Sequence, residues 1–315
     1  MNKPSLSVGL PVYNGAKYLA RTLDLLLAQD YDNFELIISD NGSTDGTADI
    51  CRRYAERDAR IRYVRNESNR GATWNFRRVF ELAQGECFKW AASDDECHPT
   101  MFRRCMEVME HSPDTVSLVY PQCEFIDEAG SVIRPVFNPL WDHVFTAARH
   151  PHQRLRHVLR RLLHGVSFYG IIRTSFLRQT RPFGQIAADW VKVAELAMLG
   201  VIVEVPEVLF RYRIHSGSSV YVTRNWRELI VWHDPNSRGW LLLLPQGGAF
   251  MLEYLKSIKH LPLSPFDRWR CYAVACTTPP GRGLKLWLAS ISGPARIRLR
   301  QVTGWTWLTR GGSAL

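Results

Sequence analysis

Acidic side chains follow two apolar runs of this chain. The run that begins at Leu36 ends at Asp40, and another ends at Asp94 and Asp95 about fifty residues later. In an open α/β sheet, ligands bind beyond the carboxyl ends of the strands. We therefore expect two adjacent strands to form an acidic crevice for a nucleotide and a divalent cation. Mg²⁺ and Mn²⁺ suit such a place, because they prefer oxygen ligands and commonly bridge carboxylates to a diphosphate.

The hydrophobic pattern around these acids alternates between strands and helices over roughly the first 120 residues. The predicted strands are Ser5–Tyr13, Phe34–Asp40, Arg60–Asn66, Cys87–Ser93 and Val116–Tyr120, and the predicted helices are Tyr18–Gln29, Thr44–Arg57, Thr73–Gln84 and Thr100–His111. This alternation indicates a Rossmann-like open sheet. No Gly-x-Gly-x-x-Gly and no Walker loop follows the first strand, which argues against a dehydrogenase-type dinucleotide site.

The pattern becomes less regular after about residue 126. The predicted elements there are a basic helix over His152–His164, a strand over Ser167–Arg173, a helix over Ala187–Leu199, and two short strands, Val201–Val205 and Val208–Arg213, either side of Pro206. The last hundred residues are rich in Pro, Gly and Trp. Leu284–Ser292 and Ile297–Val302 mix apolar and basic residues, and are interpreted either as short helices on a membrane surface or as a helical appendage packed on the domain.

Positive charge is concentrated in two parts of the chain, whose net charge is +10. Residues 143–188 contain eight Arg and no acid, and no acid follows Asp267. Such regions are either a solvated basic surface or a site for nucleotide diphosphates, acidic glycans or anionic lipid headgroups. Nucleic acid is not expected, because no nucleic-acid motif accompanies the charge. Seven Cys without a CxxC pair favour a reducing compartment, and no apolar run approaches a transmembrane length.

A series of motifs follows the same order as in one known family. The chain carries Pro11-Val12-Tyr13-Asn14-Gly15, Ser39 to Thr47, Asn69-Arg70-Gly71 to Asn75, Ser93-Asp94-Asp95, and a later block from Asp189-Trp190 through Glu195 to Arg211-Tyr212-Arg213-Ile214-His215. This set resembles the family 2 glycosyltransferases of bacterial type, and it spans roughly two thirds of the chain. Two positions depart from the usual pattern: Asn41 replaces a second acid, and Ala92 replaces the first acid of the Asp-x-Asp-Asp form.

The resemblance implies an α/β fold of the GT-A type, a Rossmann-like mixed open sheet flanked by helices. It implies a glycosyltransferase domain over residues 1–220, with a nucleotide-sugar half at about 1–125 and an acceptor half at about 126–220. Residues 221–315 would then be a basic, Trp-rich C-terminal helical appendage.

The activity implied by the resemblance is metal-dependent, inverting transfer of a sugar from a nucleotide diphosphate-sugar donor to a glycan or lipid-linked glycan acceptor. Mg²⁺ or Mn²⁺ is the expected cofactor. By analogy, the bacterial pattern suggests cell-surface polysaccharide biosynthesis by a cytoplasmic protein associated with the inner face of the cell membrane. A peripheral contact with anionic lipid is therefore an expected interaction.

The resemblance also assigns roles on the donor side. Asp40 would accept from the ring N–H of uracil or thymine. Pro11 and Tyr13 would line the nucleoside pocket, and the backbone at Asn69 and Gly71 would approach the nucleotide. A turn aspartate, a core tyrosine and a plain turn are the structural alternatives at these positions.

The remaining assignments concern the metal, the leaving group and the acceptor. Asp95 would bind the metal directly, Asp94 would contact the ribose or the metal's water, and His215 would contact the metal or diphosphate. Arg211 and Arg213, alternate residues on one strand face, would neutralise the leaving group.

Asp189 is the expected general base by resemblance, with Glu195 as the fallback. A helix N-cap is the structural alternative for Asp189. Two other functions remain open: a degenerate sugar-nucleotide or glycan-binding module, suggested by Asn41 and Ala92, and a nucleotidyltransferase, whose usual Gly- and basic-rich loop after the first strand is absent.

Overall fold

The computed structural model describes residues 4–134, 142–162, 164–184, 186–218, 226–233 and 246–278. The strands are β1 Leu6–Val12, β2 Phe34–Asp40, β3 Ile61–Arg65, β4 Cys87–Trp90, β5 Glu96–Cys97, β6 Val116–Ile126, β7 Val132–Arg134, β8 Ile171–Arg173 and β9 Val201–Arg213. The helices are α1 Ala16–Leu27, α2 Thr47–Arg57, α3 Ala72–Glu81, α4 Met101–His111, α5 Pro151–Arg161, α6 Thr174–Leu177, α7 Ala188–Leu199, α8 Trp226–His233, α9 Gln246–His260 and α10 Pro265–Thr277.

The strands form one mixed sheet in the order β3-β2-β1-β4-β8-β6-β9-β5, with β7 paired to β6. The first four positions are parallel to one another, and β8 is antiparallel to both of its neighbours. Every residue of β1 is buried, as expected for a central parallel strand covered by helices on both faces. The predicted α/β fold, a mixed open sheet flanked by helices, is confirmed.

The two strands that end in acids are not neighbours, and the prediction of adjacent strands is wrong. β1 lies between them and pairs in parallel with β2 on one side and with β4 on the other. Because all three strands are parallel, their carboxyl ends still lie along one edge of the sheet. The loop after β1 therefore separates the two acidic loops.

One long strand replaces the two short strands predicted either side of Pro206. In its pairing with β6, Val205 lies opposite Pro121 and Val208 lies opposite Gln122, so Pro206 and Glu207 are bulged out of the register. A bulge tolerates proline because the residue there owes no ladder hydrogen bond. The strand can thus continue to Arg213.

Three other local predictions differ from the structure. The segment predicted as a strand from Ser167 is a 3-10 turn over Val166–Tyr169 followed by the short strand β8. Helix α2 begins at Thr47, after the N-cap Gly46, so Asp45 precedes its first turn. The short strands β5 and β7 were not predicted, since two and three residues carry too little periodicity.

Helices α9 and α10 share a hydrophobic core with α5 and α7. Tyr254, Ile258 and Val274 are buried in the same cluster as Leu155 and Val158. The described part of residues 221–315 is thus packed on the acceptor half, while the division at residue 220 stays a prediction. The segments Leu284–Ser292 and Ile297–Val302 lie outside the described residues. Across the ranges that the structure describes, no helix has the length and apolar character to cross a bilayer.

Candidate functional site

The loop after β1 lies between the two acidic loops and contacts both of them. The Asn14 backbone N–H donates to Ser43 Oγ at 2.9 Å, and the Thr44 N–H donates to Asn14 Oδ1 at 2.9 Å. On the other side, a Cβ added at Gly15 would lie 3.0 Å from Ser93 Oγ, just before the Asp94–Asp95 pair. Gly15 therefore permits a close approach that brings the ends of β1, β2 and β4 into one neighbourhood.

Asp45 connects the N-termini of two helices. Its Oδ1 accepts from the Thr47 N–H at 3.0 Å, and its Oδ2 accepts from the Ala16 N–H at 3.1 Å. These are unsatisfied first-turn donors of α2 and α1, where a carboxylate is also favoured by the helix dipoles. Asp45 is therefore used to hold the two loops together.

Asp40 is fully buried at the end of β2. Its Oδ1 accepts from the Ser43 N–H at 2.8 Å, and its Oδ2 accepts from the Tyr63 hydroxyl at 2.9 Å. The Arg65 Nε lies 3.3 Å from the same Oδ2, and the Arg65 side chain is 46% exposed. Of these three partners, Arg65 is the long, exposed side chain, whereas Tyr63 is partly buried and the Ser43 N–H belongs to the backbone.

Asn41 has a structural use that an acid could not fill. Its amide nitrogen donates to Asn69 Oδ1 at 2.8 Å, while its amide oxygen accepts from the Arg70 N–H at 3.1 Å. A carboxylate has no donor, so it could not make the first bond. The sequence suggested that Asn41, in place of an acid, was a loss of function. In the structure, Asn41 instead fastens the Asn69–Gly71 loop to the end of β2.

Asp95 is buried and only half satisfied. Its Oδ1 accepts from the Arg213 backbone N–H at 2.8 Å. Its Oδ2 is buried and has no hydrogen-bond partner. Burial, followed by the charge of Asp94, raises the pKa of Asp95 well above its usual value. A buried carboxylate oxygen without a donor is expensive, and a cation is one of the few groups that would offset it.

His215 meets Asp94 at the end of β9. Its Nε2 lies 2.7 Å from Asp94 Oδ2, and its Nδ1 accepts from the Gly217 N–H at 3.2 Å. The second contact favours the tautomer in which Nε2 carries the proton toward the carboxylate. The His215 ring packs edge-on against Tyr18, with centroids 4.9 Å apart.

The two arginines of β9 both reach Glu96, as expected for alternate residues of one face. Arg213 is buried: its guanidinium lies 2.7 Å from Glu96 Oε1, and its Nε donates to the Asp94 carbonyl at 2.8 Å. Arg211 is about half exposed and lies 3.8 Å from Glu96 and 2.6 Å from Glu124. Glu96, which sequence reasoning did not single out, is thus the shared partner of both guanidinium groups.

Asp189 lies in the first turn of α7, one residue after the helix begins. The N-cap is Ala187, in the left-handed region with φ 43°, so Asp189 is not the cap. Burial raises the pKa of Asp189 to about 6. Gly165, at φ +72°, packs against it so closely that an added Cβ would lie 2.7 Å from Asp189 Oδ2. Two backbone positions in the left-handed region therefore flank this carboxylate.

Two tyrosines connect Asp189 with the acidic pair. Burial raises the pKa of Tyr169 and of Tyr212 above the usual value. The charges of Asp94, Asp95 and Asp189 contribute further to both increases. The two rings themselves are neighbours, with centroids 6.4 Å apart, so the same three carboxylates act on both of them.

Glu195, the fallback base, lies elsewhere in the interior. It is fully buried, its Oε2 is 2.9 Å from Lys192 Nζ, and its Oε1 accepts from the Ser257 hydroxyl at 2.7 Å. Both oxygens of this carboxylate are therefore occupied by the protein.

The described residues contain no group of three or more His, Cys, Asp or Glu arranged to hold a metal by themselves. The available donors still suit a hard cation. Asp94 and Asp95 offer carboxylate oxygens, and the unpartnered Asp95 Oδ2 is the atom most in need of a cation. His215 could bind a cation only through Nε2, after giving up the proton that it directs toward Asp94. A site of this kind leaves several coordination positions for phosphate oxygens and water, which is how Mg²⁺ is usually bound.

Comparison with known families decides the classification. The model of Glycosyl transferase family 2 matches residues 7–179, more than half of the chain. This chain belongs to glycosyl transferase family 2. The predicted family is thereby confirmed, and the matched region includes β1, β2, β4 and the Asp94–Asp95 pair.

Curated relatives of this family 2 chain are distant. It is 27% identical over 240 residues to an uncharacterised glycosyltransferase of Rickettsia felis, which covers 73% of this chain and 38% of the relative. It is 34% identical over 112 residues to glycosyltransferase GlyG of Streptococcus pneumoniae serotype 4, which covers 35% of this chain and 37% of the relative. The chain thus spans less than half the length of these relatives.

Solved structures share the fold at low identity. Residues 1–349 of TarS from S. aureus, in complex with UDP-GlcNAc, align with a TM-score of 0.62 at 16% identity, over 87% of this chain and 72% of that one. The mannosyltransferase PcManGT from Pyrobaculum calidifontis, in complex with GDP-Man and Mn²⁺, aligns with a TM-score of 0.52 at 18% identity, over 98% of this chain and 81% of that one.

Proposed function

We propose that this family 2 chain transfers a sugar from a nucleotide diphosphate donor to a hydroxyl of a glycan or lipid-linked glycan, with inversion at the anomeric carbon and with help from Mg²⁺ or Mn²⁺. The observation that carries the proposal is the acidic pair after β4, where the end of β9 holds Asp95 through the Arg213 N–H and Asp94 through His215. One carboxylate oxygen of this pair, Asp95 Oδ2, is buried without a partner.

Two structural neighbours support the choice of donor and cofactor. TarS was solved with UDP-GlcNAc, and PcManGT was solved with GDP-Man and Mn²⁺. Each is a nucleotide diphosphate-sugar bound by a protein of this fold. At such low identity the likeness concerns the fold alone, so the donor of this chain is part of the proposal.

On the donor side, Asp94, Asp95 and His215 would hold the cation. When bound, the cation neutralises the negative charge of the departing diphosphate. The Arg213 backbone N–H fixes the carboxylate of Asp95 at 2.8 Å. We assign Arg213 to positioning, because Glu96 and backbone carbonyls take its guanidinium, and we assign contact with the diphosphate to the more exposed Arg211.

The nucleoside would bind where the loops after β1, β2 and β3 meet. Tyr13 is 47% exposed there and can cover a base. The surrounding backbone is formed by Pro11 and Gly71, which are buried, and by Asn69, which is exposed. A base can reach the buried Asp40 carboxylate once Arg65 swings into solvent, because Arg65 is the exposed partner of the Oδ2 atom.

Asp189 would act on the acceptor. Its carboxylate takes the proton of the acceptor hydroxyl while the hydroxyl oxygen bonds to the anomeric carbon. In the same step, the bond from that carbon to the diphosphate oxygen breaks, and the electron pair leaves with the diphosphate. A single displacement of this kind inverts the anomeric configuration. A carboxylate with a pKa near 6 accepts a proton more readily than an ordinary aspartate.

The proposal is tested by titrating UDP and GDP into the protein with and without Mn²⁺, and then measuring donor hydrolysis and transfer. Asp95→Asn should lose the Mn²⁺-dependent part of binding and lower turnover about a thousandfold or more. Full turnover in the presence of a chelator would contradict the metal role. Nucleotide binding without any turnover would favour the degenerate binding module, which Ala92 suggests. Release of diphosphate from a nucleoside triphosphate would favour a nucleotidyltransferase.

The setting of this reaction is also proposed. An acceptor glycan carried on a lipid, and a role in cell-surface polysaccharide assembly at the inner face of the membrane, fit the basic surface of the chain. A screen of glycan and lipid-linked acceptors with the identified donor tests this part separately.

A further inference from the structure

Helix α10 has apolar residues on two opposite faces. One face is buried in the core through Cys271, Val274 and Ala275. The opposite face points to solvent, with Phe266 58% exposed and Trp269 67% exposed. Two further exposed residues, Ala273 and Cys276, continue this outer face at helical spacing. A surface helix normally needs only one apolar face, so the outer one calls for a partner.

The outer face combines aromatic rings with a cation. The guanidinium carbon of Arg270 lies 3.9 Å from the ring centroid of Phe266. Such a contact holds a positive charge beside an exposed ring. Tryptophan beside it presents a large apolar body with a polar N–H, which suits a boundary between an apolar phase and water.

Basic side chains at the start of α5 surround the same place. The rings of His150 and His152 stack with centroids 5.5 Å apart. Burial lowers the pKa of His152, and the nearby charges of Arg270, His150 and Arg156 lower it further, against Asp267 alone, which raises it. A lowered pKa leaves the His152 ring uncharged at neutral pH, so the positive charge here is that of Arg270 and Arg156, which attract an anionic partner.

The sequence beyond α10 has the same sign of charge. Residues 279–315 contain no acid and carry Arg282, Lys285, Arg296, Arg298, Arg300 and Arg310. Their positions lie outside the described residues, and their contribution here is to the charge of the sequence alone, which rises by six after α10.

We propose that the outer face of α10, together with the start of α5, docks this protein on an anionic phospholipid bilayer. Phe266 and Trp269 would lie at the boundary between headgroups and acyl chains, with Arg270 and Arg156 facing the phosphates. This inference deepens the membrane setting proposed above by naming the surface that docks, and it does not depend on the sugar-transfer chemistry, because membrane binding requires none of it.

The packing of α5 sets where this surface lies relative to Asp189. Arg154, in the first turn of α5, donates to the carbonyls of Ala197 and Met198 at the end of α7. The other end of α5 leads to Gly165, which packs against Asp189. The two ends of α5 are roughly 16 Å apart for a helix of this length, so the start of α5 and the segment that leads to Asp189 are separated by the length of the helix.

The test is flotation of the full chain with vesicles of phosphatidylcholine, with and without phosphatidylglycerol. We expect binding only to the anionic vesicles, weakening as salt is added. Phe266→Ser with Trp269→Ser should reduce the partition constant about tenfold or more. Arg270→Gln should reduce it about fivefold.

Matched controls remove similar groups elsewhere. Phe145→Ser removes another exposed phenylalanine, 48% exposed, and Arg52→Gln removes another exposed arginine, on α2. Both should bind anionic vesicles as the parent protein does. The double variant should keep the melting temperature and the nucleotide affinity of the parent, because its two side chains face solvent.

Three results would overturn the inference. One is a parent protein that does not float with anionic vesicles, and another is a double variant that floats unchanged. The third is a double variant that still binds the vesicles but either melts at a lower temperature or changes from a larger species to a monomer. That result would assign the outer face to another part of this chain or to a second copy. Each is independent of whether the protein transfers sugar.

Discussion

Asp189 and Asp95 are two buried aspartates whose surroundings differ in a way that fits the different roles proposed for them. Both are removed from water, which raises the pKa of each. Asp189 has no cation among the causes of its shift, and its pKa near 6 suits proton transfer at neutral pH. Asp95 has a second acid beside it and an unpartnered oxygen, so its environment instead favours a cation.

Replacing Asp189 by Asn should stop transfer and leave the donor site intact. The amide cannot take the acceptor proton, so we expect kcat to fall about 10²- to 10⁴-fold while the nucleotide Kd is unchanged. Transfer assays and calorimetry on the same sample measure both. Asp32→Asn, at a fully exposed carboxylate, is the matched control. An unchanged kcat in Asp189→Asn would move the base role to another residue.

The pH dependence of transfer should report the same carboxylate. Asp189 must be ionised to accept a proton, so kcat should be level above pH 6 and should fall about tenfold per pH unit well below it. Transfer rates at saturating donor between pH 4.5 and pH 8 provide the measurement. A profile that stays level down to an ordinary aspartate pKa, near 4, would contradict the assignment.

The stability of the fold should depend on the ionisation of Asp189 in the opposite sense to activity. Transfer needs the ionised carboxylate, whereas the folded state favours the protonated one. The pKa is about 6 in the folded chain against 3.8 for the ordinary group, so the folded state holds the proton more tightly and stability is lost as pH rises from 4 to 6. Asn resembles the protonated acid. Asp189→Asn should therefore melt above the parent at pH 8, with a difference that shrinks toward pH 4. Equal melting curves at pH 8 would show that burial does not strain this carboxylate.

The sequence predicted the site residues that belong to motifs, but it did not predict the residues that hold those side chains in place. Asp40, Asp94, Asp95 and Asp189 were found because acids stand at the ends of apolar segments or within family motifs. Tyr63, Glu96 and Gly165 were missed, since their contacts come from strands and turns distant in the chain. Glu96 had one available signal, which is that it directly follows the acidic pair.

At the level of elements, the turn before β8 and the start of α7 hold the candidate base. Gly165 precedes the 3-10 turn and touches Asp189, and Ala187 caps α7 in the left-handed region. A non-glycine residue in that region is strained, and such strain is typically kept where the surroundings require it. These backbone positions could not be predicted, because the pattern from residue 167 to 173 resembles a strand.

Gly165→Ala should cost both stability and activity. The added methyl would meet Asp189 Oδ2 at 2.7 Å in a backbone conformation with φ +72°. We expect a loss of about 1–3 kcal/mol of unfolding free energy and a lower kcat, because the carboxylate must move. Urea denaturation and transfer assays measure these effects. Gly46→Ala is the control, since its Cβ would lie 3.7 Å from Ala16 Cβ at an ordinary φ of −70°. Equal effects at both glycines would contradict the argument.

For the whole molecule, a buried polar network ties the C-terminal helices to α7. Lys192 contacts Glu195 at 2.9 Å within α7, and Glu195 accepts from Ser257 of α9 at 2.7 Å. Lys192 also donates to Thr180 Oγ1 and to the Arg181 carbonyl, so its ammonium group is fully used. Periodicity in the sequence predicted helix α7, but it gave no sign that the charged residues on it face inward.

Lys192→Met should be strongly destabilising. It leaves the Glu195 carboxylate buried without its counter-charge, which typically costs about 3–5 kcal/mol. The double variant Lys192→Met with Glu195→Leu should recover much of that loss, since it removes both charges. Urea midpoints of the parent, both single variants and the double variant form the required cycle. Additive losses would mean that the two groups do not interact.

The two-residue strand β5 also bears on the stage of folding at which the candidate site forms. It directly follows Asp95 and pairs with Phe210 and Arg211 of β9, and the Arg213 N–H reaches Asp95 across 118 residues of chain. Closing so distant a contact is among the slower events of folding. A nascent chain that has emerged only as far as β6 already contains both aspartates of the pair, yet it lacks the strand that orients them. The arrangement of the acidic pair proposed to bind the cation is therefore completed only when β9 joins the sheet.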